Sequence, residues 1–235
     1  MSTLLVVNTT KRENGFSYFN ETIKRIDATG GAGLPKEDKL IYCDGPFEGV
    51  APEGWTVRST AESTGTLPGL EAVVKLARER QQDLAFFEDD IVLSKNAVKK
   101  IVEYEVPADL AFVSFFDFYT PAGAKAGLEE RAVPDKGVIQ SGVQAIKIPL
   151  RSLALMWPDK QHAEIVVSHE PGEKQFGRLF ALRYYFKGLR FGMLLPHIVQ
   201  HIGEVTAVHI TRARPAGDRK SANYAGDECD AMALG

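Results

Sequence analysis

Cysteine is scarce: Cys43 and Cys229 are the only two in 235 residues, which leaves room for at most one isolated bridge and excludes a disulfide framework or a multi-cysteine zinc site. Reduced thiols in a cytoplasmic protein are the expectation. A basic excess is also missing. Lys and Arg number 28 against 31 Asp and Glu, a formal charge of -3, so no global cationic field is available to grip nucleic acid. Long apolar runs are absent too. Leu4 to Val7 is too short for a signal-peptide core and has no basic region before it, and GLRFGMLLPHIVQHIG is broken by Arg190, Pro196, His197 and His201. Neither export by that route nor a membrane span is expected. TGTLPG is not a phosphate-binding P-loop and no G-x-G-x-x-G occurs, so ATPase and dinucleotide readings lose their main support. No internal repeat or low-complexity tract is found.

What is present is ordinary globular material, 44% hydrophobic and 25% charged, enough for one substantial core. Thr3 to Asn8 reads as a buried strand, and Phe16, Phe19, Ile23 and Ile26 recur at helical spacing before Gly30-Gly31. Lys39 to Cys43 and Trp55 to Arg58 read as strands, and Leu67, Leu70, Val73, Val74 and Ala77 as one helix face. Asp83 to Phe87 is a further strand. After it and IVL, Ser94 can cap a helix with inner face Ala97, Val98, Ile101 and Val102. Leu110 to Phe116, Val138 to Ile148 and Gly192 to His201 have strand character. Leu150 to Trp157 and the segment around Phe176, Leu179 and Phe180 read as helices, and Thr120 to Lys136 as a long surface loop. Beyond Thr211 periodicity is lost, which predicts a mobile or ligand-ordered tail. Alternating strands and helices predict an α/β fold with a mainly parallel sheet covered on both faces. In such sheets ligands gather beyond the carboxyl ends of the strands.

Glu88-Asp89-Asp90 lies at such an end. Three adjacent carboxylates repel one another, and a divalent cation or nearby bases must offset that cost. Oxygen ligands of this kind suit Mg²⁺ or Mn²⁺; the alternative is a solvated acidic turn favoured by the dipole of the next helix. His201, near Gly203 in PHIVQHIGEVT, completes a carboxylate-plus-imidazole metal set or is a packed core histidine. His197 and His209 are weaker candidates, and His162 and His169 have no metal-like spacing. Asn8, Thr9, Lys11 and Arg12 follow the first strand, where they can meet a base or phosphate or simply form a turn. Asp44 and Thr64 to Thr66 are further donor-side candidates. The aromatic run Ser114 to Tyr119 suits an acceptor-stacking wall, with core packing as the reading for Phe112 and Phe115; Gly142 and Gln144 are candidates for the acceptor edge.

In order along the chain, LLVVNTTKR, LAFFEDDIVLSKNAVKKI, EKQFGRLFALRYYFKG and LLPHIVQHIGEVT resemble the GT-A-fold, metal-dependent glycosyltransferases that use nucleotide-sugar donors. The resemblance implies a GT-A-like catalytic domain over residues 1–211 and a tail, 212–235, that the donor can order. It implies that Asp90, Asp89 and His201 hold Mn²⁺ or Mg²⁺ and that Glu88 faces the donor ribose. The acidic pattern is EDD instead of a strict Asp-x-Asp, so the division of duties among the three acids stays open. It also implies Glu173, with Glu170 as its neighbour and substitute, as the base that deprotonates the acceptor; either glutamate could equally be a helix N-terminal acid. Arg212, Arg214, Arg219 and Lys220 would clamp the diphosphate or belong to a solvated tail.

The function so implied is transfer of a hexose from a nucleotide-diphosphate sugar, UDP-linked by expectation, to an acceptor hydroxyl with inversion. The acceptor would be a saccharide or small molecule ahead of a hydroxymethylated DNA base. The competing readings are a sugar-phosphate nucleotidyltransferase, which would use the same carboxylates to direct attack on an α-phosphate, and a noncatalytic nucleotide-sugar binding module.

Overall fold

The computed structural model describes residues 2–11, 17–63, 66–116, 122–131, 145–153, 190–202 and 220–234. In chain order the elements are β1 (Thr3–Thr9), α1 (Ser17–Ala28), β2 (Lys39–Cys43), β3 (Thr56–Ser59), α2 (Thr66–Glu79), β4 (Asp83–Glu88), β5 (Ile91–Leu93), α3 (Ala97–Glu103), β6 (Leu110–Ser114), β7 (Gly127–Arg131), β8 (Ala145–Ile148), α4 (Leu150–Leu153), β9 (Arg190–Leu195) and β10 (Val199–His201).

Eight strands form one sheet in the order β3-β2-β1-β4-β8-β6-β9-β7. Strands β3, β2, β1 and β4 are mutually parallel, as are β6 and β9. β8 runs antiparallel between β4 and β6, and β7 closes the edge antiparallel to β9. Every residue of β1 and β2 is buried, which is why both read as unbroken apolar runs: each face of the sheet is covered. Side chains alternate. Leu4 and Val6 pack with Leu70, Val73 and Val74 of α2, whereas Leu5 and Val7 pack with Phe19, Ile23 and Ile26 of α1 and with Ala97, Val98 and Ile101 of α3. Fully burying each such leucine or valine contributes about 1.5–3 kcal/mol, so the two covered faces fix β1 in the interior of the sheet. The expected single α/β domain with a mainly parallel sheet flanked by helices is the observed fold.

Several expectations are corrected. The run Gly192 to His201 is two strands: β9 belongs to the main sheet, while β10 pairs antiparallel with β5 in a separate two-stranded ribbon. Pro196 lies between them and has no N–H to continue a ladder. The segment expected as a surface loop contains β7, an edge strand whose Leu128 packs against the core. Ser94 does not cap α3. Asn96 is the N-cap, in the left-handed region at φ 58°, and Ser94 Oγ instead donates to Gly226 O at 2.8 Å. Of the segment expected as a mobile or ligand-ordered tail, residues 220–234 lie on the domain, with Ala231 fully buried in the α1/α3 layer, and residues 212–219 lie outside the described residues. Residues 138–144, 154–157 and the helix expected near Phe176 lie outside the described residues.

Gly30 allows α1 and α3 to meet: its φ is 129°, and a Cβ there would stand 2.8 Å from the Lys99 backbone nitrogen. Among the described residues no helix is long and apolar enough to cross a membrane.

Candidate active site

Parallel pairing brings three strand ends to one edge of the sheet. Asn8 stands opposite Tyr42 of β2 on one side and Glu88 of β4 on the other. The residues that follow, Thr9 to Lys11, Asp44 and Asp89-Asp90, therefore emerge side by side at the carboxyl end, where such sheets hold ligands.

Strand alternation then sorts them. Phe86 belongs to the α2 layer and Phe87 to the α1/α3 layer, so Glu88 falls on the α2 side together with Asn8. Asn8 is buried against the start of α2. Its Oδ1 has no hydrogen-bond partner among the described residues and lies 3.1 Å from where a Cβ at position 69 would sit, so Gly69 is what lets the helix approach. Thr9 falls on the opposite side, where its Oγ1 donates to Asp89 Oδ2 at 2.5 Å, both groups buried.

The turn after β4 is held from α1. Thr22, fully buried, lies with Oγ1 2.8 Å from Asp89 O and 2.9 Å from Ile91 O, and accepts from Ile91 N at 3.1 Å. This anchor escapes the sequence reading, although a signal exists: a polar residue interrupts the apolar stripe Phe19, Ile23, Ile26.

Asp90, between the turn and β5, meets His201 at the end of β10. His201 Nε2 and Asp90 Oδ2 are 3.1 Å apart, and Ile202 N donates to Asp90 O at 2.8 Å. Both residues are nearly inaccessible, at 6% and 1% exposure, so the carboxylate and imidazole interact away from bulk water. Among the described residues no three His, Cys, Asp or Glu side chains converge as a ready-made metal centre. The structure thus joins Asp90 with His201 and places Asp89 with Thr9.

The other candidates divide. Asp44 is buried and engaged locally: its N–H donates to Thr9 O at 2.9 Å, its carbonyl accepts from Thr10 Oγ1 at 2.9 Å, and its Oδ2 accepts from Ser63 Oγ at 2.7 Å. Lys11 forms an exposed ion pair with Glu48. Thr66 opens α2. Arg12, Glu170, Glu173, Arg212, Arg214 and Arg219, together with His162, His169, His209, Gly142 and Gln144, lie outside the described residues; Lys220 is exposed. His197 is a packed histidine: fully buried, Nδ1 2.6 Å from Ser221 Oγ, its ring beside Phe116. Phe112 and Phe115 are core residues, Phe112 stacked on Phe191 at 5.0 Å.

Cys43, at the end of β2, is not a thiolate nucleophile. Burial, reinforced by the negative charges of Asp44 and Asp89, pushes its thiol up to about 11, so it stays protonated near neutrality.

No family model and no curated protein matches the chain. Solved structures do. An active-site mutant of LgtC shares 12% identity over 81% of this chain and 71% of its own, with a TM-score of 0.50. The galactosyltransferase LgtC in complex with donor and acceptor sugar analogs shares 12% over 76% of this chain and 69% of its own, at 0.45. A mannosyltransferase from Pyrobaculum calidifontis, in complex with GDP-Man and Mn²⁺, shares 13% over 48% of this chain; the chain spans about a third, 34%, of that protein's length, at 0.36. The likeness to LgtC is one of fold: the sheet is GT-A-like.

Proposed function

We propose that this protein is a metal-dependent glycosyltransferase that moves a hexose from a nucleotide-diphosphate sugar, UDP-linked in the first instance, to an acceptor hydroxyl. The observation that carries the reading is the buried Asp90–His201 pair at the carboxyl edge of a GT-A-like sheet, beside Asn8, Thr9 and Glu88.

The pair fits a small divalent cation. Mn²⁺ and Mg²⁺ commonly take one or two protein ligands and complete their shell with water and substrate phosphate oxygens, so a carboxylate and an imidazole suffice. Asp90 and His201 would hold the ion, with Asp89, fixed by Thr9, supporting it. When bound, the cation supplies charge neutralisation for a departing nucleoside diphosphate.

The chain's own residues account for the rest of the proposal. Asn8 and Glu88, neighbours on the α2 side, face the nucleoside, Glu88 toward the ribose. Lys11 and Asp44 follow β1 and β2 at the same edge, and Arg12, Thr66, Arg212 and Arg214 are the further donor contacts this reading assigns. Glu173, or Glu170 in its place, takes the proton of the acceptor hydroxyl as that oxygen bonds to the anomeric carbon. The bond from that carbon to the diphosphate oxygen breaks with inversion, and the nucleoside diphosphate leaves with the electron pair. The acceptor in this reading is a saccharide or small molecule. In this reading the catalytic domain extends over residues 1–211, and the segment 212–235, of which 220–234 pack on that domain, would supply the cations.

The test is donor hydrolysis and transfer from UDP-hexoses with Mn²⁺, with and without chelator, in the wild type and Asp90→Ala. Chelator-sensitive release of nucleoside diphosphate that Asp90→Ala abolishes is the expected result. Chelator-insensitive turnover in Asp90→Ala refutes the assignment, and pyrophosphate release from an NTP and a sugar phosphate would replace it with nucleotidyl transfer. Anomeric-proton NMR of the product reads the stereochemistry.

A further inference from the structure

The Asp90–His201 pair hangs on a ribbon of two three-residue strands, and a two-stranded ribbon of that size is marginal in water by itself. Residues 220–234 supply what it lacks. Along β10 and the residues before it, His197 N donates to Asn223 O and Ala225 N to His197 O, both at 2.9 Å, while Ser221 Oγ meets His197 Nδ1 at 2.6 Å. Beyond β5, Lys95 N donates to Asp227 O and Ala231 N to Lys95 O, both at 2.9 Å, and Asn96 Nδ2 donates to Asp230 Oδ1 at 3.0 Å. The segment therefore spans both halves of the ribbon, the half that follows Asp90 and the half that ends in His201.

One side chain joins this segment to the histidine's own backbone. Ser94 N to Ile198 O at 2.9 Å and Ile202 N to Asp90 O at 2.8 Å mark the hydrogen-bonded pairs of the ribbon. His201, opposite Ile91, is consequently a non-hydrogen-bonded pair whose N–H points outward. That amide donates to Gln200 Oε1 at 3.2 Å; the same oxygen accepts from Ser221 N at 2.8 Å, and Gln200 Nε2 donates to Ser221 O at 3.1 Å. A carboxamide is the side-chain group that offers an acceptor and a donor in the pattern of a peptide unit, and Gln200 uses both.

We propose that Gln200 is a positioning residue: its carboxamide clips residues 220–234 to β10 and thereby holds His201 against Asp90. The functional meaning rests on the metal-pair reading above, but the clip itself is testable without any metal.

The experiment compares wild type, Gln200→Ala and Gln200→Glu by amide hydrogen exchange followed by NMR, and by Mn²⁺ titration read by electron paramagnetic resonance. In Gln200→Ala the Ile202 amide, which reports the contact with Asp90, should exchange about tenfold faster or more, while amides of β1 keep wild-type protection. Mn²⁺ affinity should fall by about tenfold in parallel. Gln200→Glu keeps an acceptor for both N–H groups and loses the donor, so it should be intermediate; it gives the same reading should the alanine variant not fold. Wild-type exchange at Ile202 in Gln200→Ala, or equal acceleration throughout β1, overturns the proposal. If the wild type binds no Mn²⁺, the metal reading fails, and the exchange data alone decide the clip.

Discussion

Thr22→Val tests the claim that the acidic turn is held from α1. Valine preserves the shape of threonine and deletes the hydroxyl, so no cavity opens at this fully buried position. What is lost is the acceptor of Ile91 N at 3.1 Å and the donor shared between Asp89 O at 2.8 Å and Ile91 O at 2.9 Å. A hydroxyl has one proton, so a single donated bond disappears together with one accepted bond. Leaving a buried amide without a partner costs about 1–3 kcal/mol. In a chain of this size each kcal/mol moves Tm by about 2–4 °C, which gives a fall of roughly 2–12 °C. Asp89 carries one of the anchored atoms and Asp90 lies between them, so Mn²⁺ affinity should fall with it. Thr22→Ser, which restores the hydroxyl, should recover most of both. Thermal melts and Mn²⁺ titration of the three proteins decide the matter. A valine variant that melts within about 1 °C of wild type refutes the reasoning.

Lys147 and Cys43 give two further predictions. Lys147 is buried on β8, donating to Thr3 Oγ1 at 2.6 Å and Val102 O at 2.7 Å, with Asp83 at 3.5 Å. Burial lowers its pKa below the usual 10.5, with Asp83 opposing. The unfolded chain then binds the proton more readily than the native one, so this group's contribution to stability grows as pH rises toward 10.5 and is lost as pH falls through the lowered folded value. The difference in Tm between wild type and Lys147→Met should shift in favour of wild type from pH 7 to 10; a pH-independent difference contradicts it. The Cys43 thiol is raised from 9.0 to about 11, so its stabilising effect is complete below pH 9 and disappears as pH climbs through 11. Cys43 should resist alkylation near neutral pH until the protein unfolds, and rapid native modification mapped to Cys43 by mass spectrometry would contradict that.

How much of this was legible beforehand depends on the range of the interaction. β1, β2 and β4 could be read nearly to the residue because burial on both faces writes itself as a continuous apolar run. The split of Gly192 to His201 into β9 and β10 was not, since apolar content alone does not say which sheet a strand joins. β7 was hidden because an edge strand needs only one apolar face, and its sequence Gly-Leu-Glu-Glu-Arg has a loop's charge content. At the candidate site, Asp90 and His201 could be named as partners because a carboxylate and an imidazole signal shared chemistry even 111 residues apart. Thr22 and Gln200 could not. Their partners are backbone atoms, most of them in other segments, and any residue type offers those; the polar break in the α1 stripe marks Thr22 as buried but does not name its partner.

The division of labour among the three acids, open in the sequence, is resolved into separate tests by the geometry. Asp89 Oδ2 is committed to Thr9 at 2.5 Å, whereas Asp90 Oδ2 faces the His201 imidazole at 3.1 Å. Asp89→Asn still offers an oxygen to the threonine hydroxyl, so it exchanges a charge-assisted hydrogen bond for a neutral one and removes one negative charge from the site. Asp90→Asn instead deletes the charged oxygen that would bind the cation directly. Removing a direct carboxylate ligand should weaken Mn²⁺ binding more than altering a supporting partner, whose loss typically costs about 10–100-fold. The ordering Asp90→Asn weaker than Asp89→Asn weaker than wild type is therefore expected in a Mn²⁺ titration of the ligand-free protein. Equal losses in the two variants would mean that both carboxylates bind the ion directly, and a larger loss in Asp89→Asn would mean that Asp90 serves His201 alone.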